Sequence, residues 1–65
     1  MVANKDLGRT AIALYDYIAG EENEISFAEN DLIVQIEFVS DDWWQGQAPT
    51  GDVGLFPSNY VELRD

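Results

Sequence analysis

A single small all-β barrel of five short strands is predicted by three observations. No window of the chain carries the apolar spacing of an amphipathic helix. Gly, Pro, Asn and Asp break the apolar pattern about every 8 to 12 residues, the rhythm of short strands joined by turns. The segment from Leu32 to Val39 is rich in Ile, Val and Phe and alternates apolar with polar side chains. In so short a chain, closing the strands into a barrel hides their edges.

The elements follow in order. Residues 1 to 8 lack periodicity and read as a linker or tail, leaving 9 to 65 as the domain. Thr10 to Leu14 forms a first strand. A long polar loop, Tyr15 to Asn30, is interrupted by Ile25-Ser26-Phe27, which alternates in, out, in and packs the loop as a bent hairpin. In the second strand Val34, Ile36 and Phe38 face inward and Gln35 and Glu37 outward. Ile33 falls on the wrong face of that alternation, so either a bulge shifts the register or both faces are covered there. Ser40-Asp41-Asp42 turns the chain into a third strand, Trp43 to Ala48. Pro49-Thr50-Gly51-Asp52 reverses it, with Gly51 available for a positive φ. Val53 to Phe56 is the fourth strand, ended by Pro57. Ser58-Asn59-Tyr60 suits one 3₁₀ turn, and Val61 to Leu63 completes the sheet. Core candidates are Ala11, Ala13, Ile25, Phe27, Val34, Ile36, Val53, Phe56 and Val61.

Size and composition bound the function. A domain of 65 residues buries only about 60% of the surface its unfolded chain exposes, so its stability margin is thin. It has no cysteine to form a disulfide or ligate zinc, which fits a reducing, cytoplasmic compartment. The longest apolar run, Ala11 to Tyr15, is far short of a membrane span. The net charge is −10, which argues against nucleic acid or an anionic membrane as partner. No positive side chain lies between Arg9 and Arg64, and that stretch holds both tryptophans, all three tyrosines and eleven carboxylates. An aromatic strip in an acidic field points to an extended, cationic ligand. Solubility alone accounts for acidity but less well for its clustering.

Catalysis is poorly supplied. The chain has no His and no Cys, and its only Lys is in the tail. Glu22 and Glu24 are a possible acid–base pair, but a loop of like charges is more often a solvated face. Glu21, Glu22, Glu24, Glu29 and Asp31 offer oxygens to Ca²⁺, yet lack the spacing and the turn glycine of a calcium loop. Neither a metal nor a cofactor is implied.

The aromatics carry more. Tyr15 and Tyr17 stand two apart and share one side of an extended chain. Trp43 and Trp44 are adjacent, so in a strand they point to opposite faces and at least one lies at the surface. Their bland reading is core or half-buried cover, but other core candidates are plentiful.

Three blocks in order, Ala13-Leu14-Tyr15-Asp16-Tyr17, Trp43-Trp44 and Gly54-Leu55-Phe56-Pro57-Ser58-Asn59-Tyr60-Val61, resemble the signature of the Src-homology 3 (SH3) domain across residues 10 to 63. The resemblance implies a five-stranded SH3-like barrel and a non-catalytic, monomeric module. It further implies binding of proline-rich Pro-x-x-Pro peptides in the polyproline II conformation, a stiff ligand that loses little entropy on docking. It places Tyr15, Tyr17, Trp43, Pro57 and Tyr60 along the groove, with Asn59 donating to a ligand carbonyl and Trp44 packing on the opposite face. It implies an acidic pocket that pairs with a ligand Lys or Arg, formed by Glu24, by Glu21 and Glu22 upstream, and by Asp41 and Asp42 on the next turn. Leu55 departs from the aromatic that many relatives carry there, which softens one wall of the second proline pocket. The acidic loop and the run from Ile36 to Trp44 are most similar to the carboxy-terminal SH3 domain of drebrin-like, cortical actin-binding adaptors. That likeness implies proline- and lysine-rich partners in endocytic and actin-regulatory assembly.

Crowded carboxylates carry an expectation for stability too. Mutual repulsion is expected to raise some of their pKa values in the folded state, so the fold gains stability as pH falls modestly and as salt rises.

Overall fold

The structure, a computed structural model, describes residues 8–64. The expected tail at residues 1 to 8 lies, but for Gly8, outside the described residues, as does Asp65. Five strands run β1 Arg9–Ala13, β2 Leu32–Phe38, β3 Trp43–Gln47, β4 Val53–Pro57 and β5 Val61–Leu63, with a 3₁₀ turn at Ser58–Tyr60 between the last two. They form one antiparallel sheet in the order β4-β3-β2-β1-β5. The strands fall where the sequence reading put them, with ends differing by a residue; their order in the sheet was not part of that reading.

The sheet curls around a core of Ala11, Ala13, Ile25, Phe27, Ile33, Ile36, Ala48, Phe56 and Val61. Two expected core residues are elsewhere: Val34 is half-buried and Val53 is 62% exposed. Ile33 and Ala48 take their place. The cause in β2 is a bulge. Ala11 stands opposite Ile33 and Arg9 opposite Ile36. On the other side Val34 meets Gln47 and Glu37 meets Gln45. Both ladders require one extra residue in β2, and Gln35 supplies it with a φ of 56°. Ile33 and Ile36 therefore share the core face, three apart, while Val34 and Glu37 face outward. Phe38, expected inward, is 48% exposed. It stacks on Trp44 at 4.5 Å between ring centroids, beneath the Arg9 guanidinium at 4.9 Å.

In β4 the alternation places Gly54 and Phe56 inward and Val53, Leu55 and Pro57 outward. Gly46 of β3 pairs with Gly54, and both positions are crowded. A Cβ on Gly46 would lie 2.9 Å from Ile33 Cγ2 and 3.1 Å from Phe56 Cε2. At the hairpin beyond, Gly51 adopts a φ of 98°, as its turn requires.

The sheet does not close by hydrogen bonds, contrary to the expectation that closure removes its edges. Its outer strands, β4 and β5, are joined only through the 3₁₀ turn. The edge of β4 is instead covered by the acidic loop: Ile25 N–H donates to the Leu55 carbonyl (3.0 Å) and Leu55 N–H to the Asn23 carbonyl (2.8 Å). The β5 edge is only three residues long. Among the described residues no helix is long and apolar enough to cross a membrane.

Candidate functional site

The loop between β1 and β2 is held as the sequence predicts, around buried Ile25 and Phe27. Tyr17 and Phe27 exchange backbone hydrogen bonds (2.9 and 3.0 Å). Its base is pinned by two carboxylates: Asp16 Oδ1 accepts from Glu29 N–H (2.7 Å) and Asp31 Oδ2 from Ala28 N–H (2.9 Å). Asp31 and Glu29, weighed as calcium ligands, thus belong to a turn whose Asn30 adopts a φ of 76°.

This loop and the 3₁₀ turn bring three tyrosines together. The Tyr60 ring lies edge-on to Tyr15 (5.7 Å, 82°) and to Tyr17 (5.3 Å, 72°), the geometry that aligns ring edges with π faces. Leu14 N–H donates to the Tyr60 carbonyl (2.8 Å), fixing the ridge to the end of β1. Tyr15 is 58% exposed and the other two are half-buried. Tyr15 gives the ridge its most open surface, while Tyr17 and Tyr60 also pack against the core.

Trp43 stands opposite Pro57 across the β3–β4 ladder, on the outward face. β4 is an edge strand there, so the missing proline N–H leaves no partner unpaired. The adjacent Trp44 turns the other way and packs on the core against Phe56 (6.5 Å). The turn before Trp43 is latched twice to the 3₁₀ turn. Ser58 Oγ donates to the Asp41 carbonyl (2.8 Å), and Ser58 N–H to the Asp42 carbonyl (2.9 Å). Ser40 Oγ accepts from Trp43 N–H (3.1 Å). Asn59 and the side chains of Asp41 and Asp42 are exposed.

Glu24 is half-buried and paired with Leu55 in a parallel bridge, while Glu21 and Glu22 are exposed upstream. One oxygen of Glu24 is already committed inside the loop: Oε1 accepts from Tyr17 OH (2.6 Å) and from Gly20 N–H (2.8 Å). The sequence offered no signal for this bond between residues seven apart. It holds the Glu24 carboxyl below its ordinary range, the Tyr17 hydroxyl contributing most and the Gly20 N–H next. For Glu24 the shift is opposite to the one expected of crowded acids, because hydrogen bonds to the charged form outweigh the cost of its desolvation. The same bond, with burial and the Glu24 charge, pushes Tyr17 up to about 12.

The signs give a stability window. Glu24 has a lowered folded value, so its contribution is present at neutral pH and lost as pH falls through that value. Tyr17 has a raised one, so its contribution is full below its ordinary value of about 10 and lost as pH rises through about 12. Tyr17→Phe is expected to flatten both arms of the profile of melting temperature against pH. Superimposable wild-type and variant profiles would refute the coupling.

Elsewhere, an open depression of about 430 Å³ lies between Leu32, Val34, Gln47, Ala48, Pro49 and Gly51. It contains none of the residues predicted to bind.

The family described as "Variant SH3 domain" matches residues 13–62. The chain belongs to the SH3 domain family. Its relatives agree. Drebrin-like protein B of Xenopus laevis is 56% identical over 59 residues, covering 91% of this chain but 16% of that protein. The chain therefore spans a small part of such a relative. The solved SH3 domain of the yeast actin binding protein Abp1 has a TM-score of 0.82 at 58% identity, covering 86% of this chain and 98% of that one. The carboxy-terminal SH3 domain of myosin IB from Entamoeba histolytica, solved bound to a peptide, has a TM-score of 0.79 at 35% identity, covering 88% and 93%. The open, curled five-stranded sheet with its 3₁₀ turn is the SH3 fold.

Proposed function

We propose that this SH3 domain is a non-catalytic module that binds proline-rich peptides in the polyproline II conformation. The observation that carries the reading is the partly exposed Tyr15–Tyr60–Tyr17 ridge, with Trp43 and Pro57 facing outward across the β3–β4 ladder. Perpendicular aromatic walls suit the three-residue repeat of such a ligand, and its free carbonyls suit the exposed Asn59 as donor. Glu24, with Glu21, Glu22, Asp41 and Asp42, selects ligands that carry Lys or Arg beside the proline core. The module would serve cytoplasmic adaptor assembly at the cortical actin cytoskeleton and in endocytosis, a reading supported by relatives named as actin-binding and drebrin-like proteins. Leu55 in place of an aromatic gives the second proline site a softer wall.

Titrating a Pro-x-x-Pro peptide bearing Arg or Lys should shift Trp43 fluorescence and its indole N–H resonance. No change at high micromolar peptide would sink the proposal. Salt supplies a second test. Raising it toward about 1 M shortens the screening length to about 3 Å. Melting temperature should rise as self-repulsion is screened, while affinity for the basic peptide should fall. Both moving in the same direction would contradict this account.

A further inference from the structure

The outward face of the sheet carries a row of side chains, two of which, Glu37 and Gln45, have no role in the groove described above. Glu37 of β2 stands opposite Gln45 of β3, and Gln45 opposite Leu55 of β4. The acidic loop extends the row by pairing Glu24 with Leu55. Directly opposed residues hold their Cβ atoms about 4.5–5.5 Å apart. Gln45 is therefore flanked by a carboxylate on one side, and reaches a second one across a single leucine. It shares its face with Trp43, two residues earlier on the same strand.

Gln45 is half-buried, and its carboxamide makes no hydrogen bond to another described residue. A carboxamide offers two donors and an acceptor oxygen. Every other feature of this row is apolar or acidic. The Glu24 Oε2 is likewise uncommitted, since both of its bonds fall on Oε1.

We propose that Gln45 is a specificity-determining residue of the groove, its side-chain oxygen accepting an N–H from the ligand's basic residue while Glu24 Oε2 faces the charge. The inference rests on the groove reading above. A cation beside Glu24 has more donors than one carboxylate oxygen satisfies, and Gln45 is the neutral acceptor placed to take another. Arg gains more than Lys, because its planar fork presents donors in two directions at once.

The test uses three peptides that share one proline core and differ only in the flanking residue: Arg, Lys or norleucine. Each is titrated into wild type, Gln45→Leu, Gln45→Glu and Glu62→Gln. The last removes an exposed carboxylate on β5, away from the row. Gln45→Leu should weaken the Arg peptide about tenfold, the Lys peptide less, and the norleucine peptide under about twofold. Gln45→Glu should tighten both basic peptides. Glu62→Gln should weaken the Arg and Lys peptides slightly and equally, and leave the norleucine peptide unchanged. An equal loss for all three peptides in Gln45→Leu would show a packing role and overturn the inference, as would no loss. Wild type that binds none of the peptides overturns the groove reading and this inference together. Binding by wild type with an unselective Gln45→Leu overturns only this one.

Discussion

Replacing Trp43 with alanine is expected to remove most peptide binding and leave the fold in place. A central aromatic anchor in a binding surface contributes at least about 2 kcal/mol, roughly thirtyfold in affinity. Trp43 is not among the buried core side chains, and it faces away from them beside Pro57. The bonds that shape its turn use its backbone N–H and carbonyl, which alanine keeps. Calorimetric titration and a thermal melt on the same sample separate the two effects. Affinity within about threefold of wild type would remove Trp43 from the site, and a collapse of the melting temperature would make it core. Trp44→Ala is the contrasting case. Trp44 packs on Phe38 and Phe56, so its loss falls first on stability.

The second large effect is expected at Gly54. A Cβ there would sit 2.7 Å from the Asn23 carbonyl oxygen and 3.1 Å from the Glu24 carbonyl carbon. Both are backbone atoms, so no rotamer change relieves the contact and the acidic loop must move off the edge of β4. Gly54→Ala should destabilise the domain by about 2–3 kcal/mol, lowering its melting temperature by about 10–20 °C. The displaced segment carries Glu24 and, through it, the Tyr17 hydroxyl. The folded fraction should therefore also lose affinity for a basic peptide. Gly46→Ala crowds side chains instead, Ile33, Phe56 and Ile36. It should cost stability while leaving the affinity of the folded fraction near wild type. An unchanged melting temperature in Gly54→Ala would show that the loop does not lean on β4 as the distances require.

These two positions also show where the sequence was readable. Two adjacent tryptophans in a strand cannot both face inward, so one of them had to lie at the surface, and the family resemblance pointed to Trp43. Strand positions, the Ile25–Phe27 anchor and the 3₁₀ turn were legible for similar reasons: bulky side chains or turn formers marked each. Gly54 and Gly46 were silent. Alternation is signalled by side chains, and a strand whose inward position is glycine shows only its outward residues. Val53 thus read as core and is exposed. The bulge was half legible. Ile33 broke the pattern, but nothing in the residue types pointed to Gln35, since the extra residue is set by registers with two neighbouring strands at once. The Tyr17–Glu24 bond and the Glu37–Gln45–Leu55–Glu24 row lay beyond reach. The first is set by the fold of the loop between residues seven apart, the second by pairing between segments distant in the chain.

The Ser58 latch has a consequence for how such a domain can diversify. Asp41 and Asp42 hold the 3₁₀ turn through their carbonyl oxygens, and every amino acid has one. Their side chains contribute nothing to that attachment. The chemistry displayed next to Trp43 can therefore be rewritten, acid to base or to neutral, while the distance between the two walls of the groove stays as it is. Glu24 has no such liberty, because its side chain is itself part of the frame. New ligand preferences should arise more readily at the turn than in the loop.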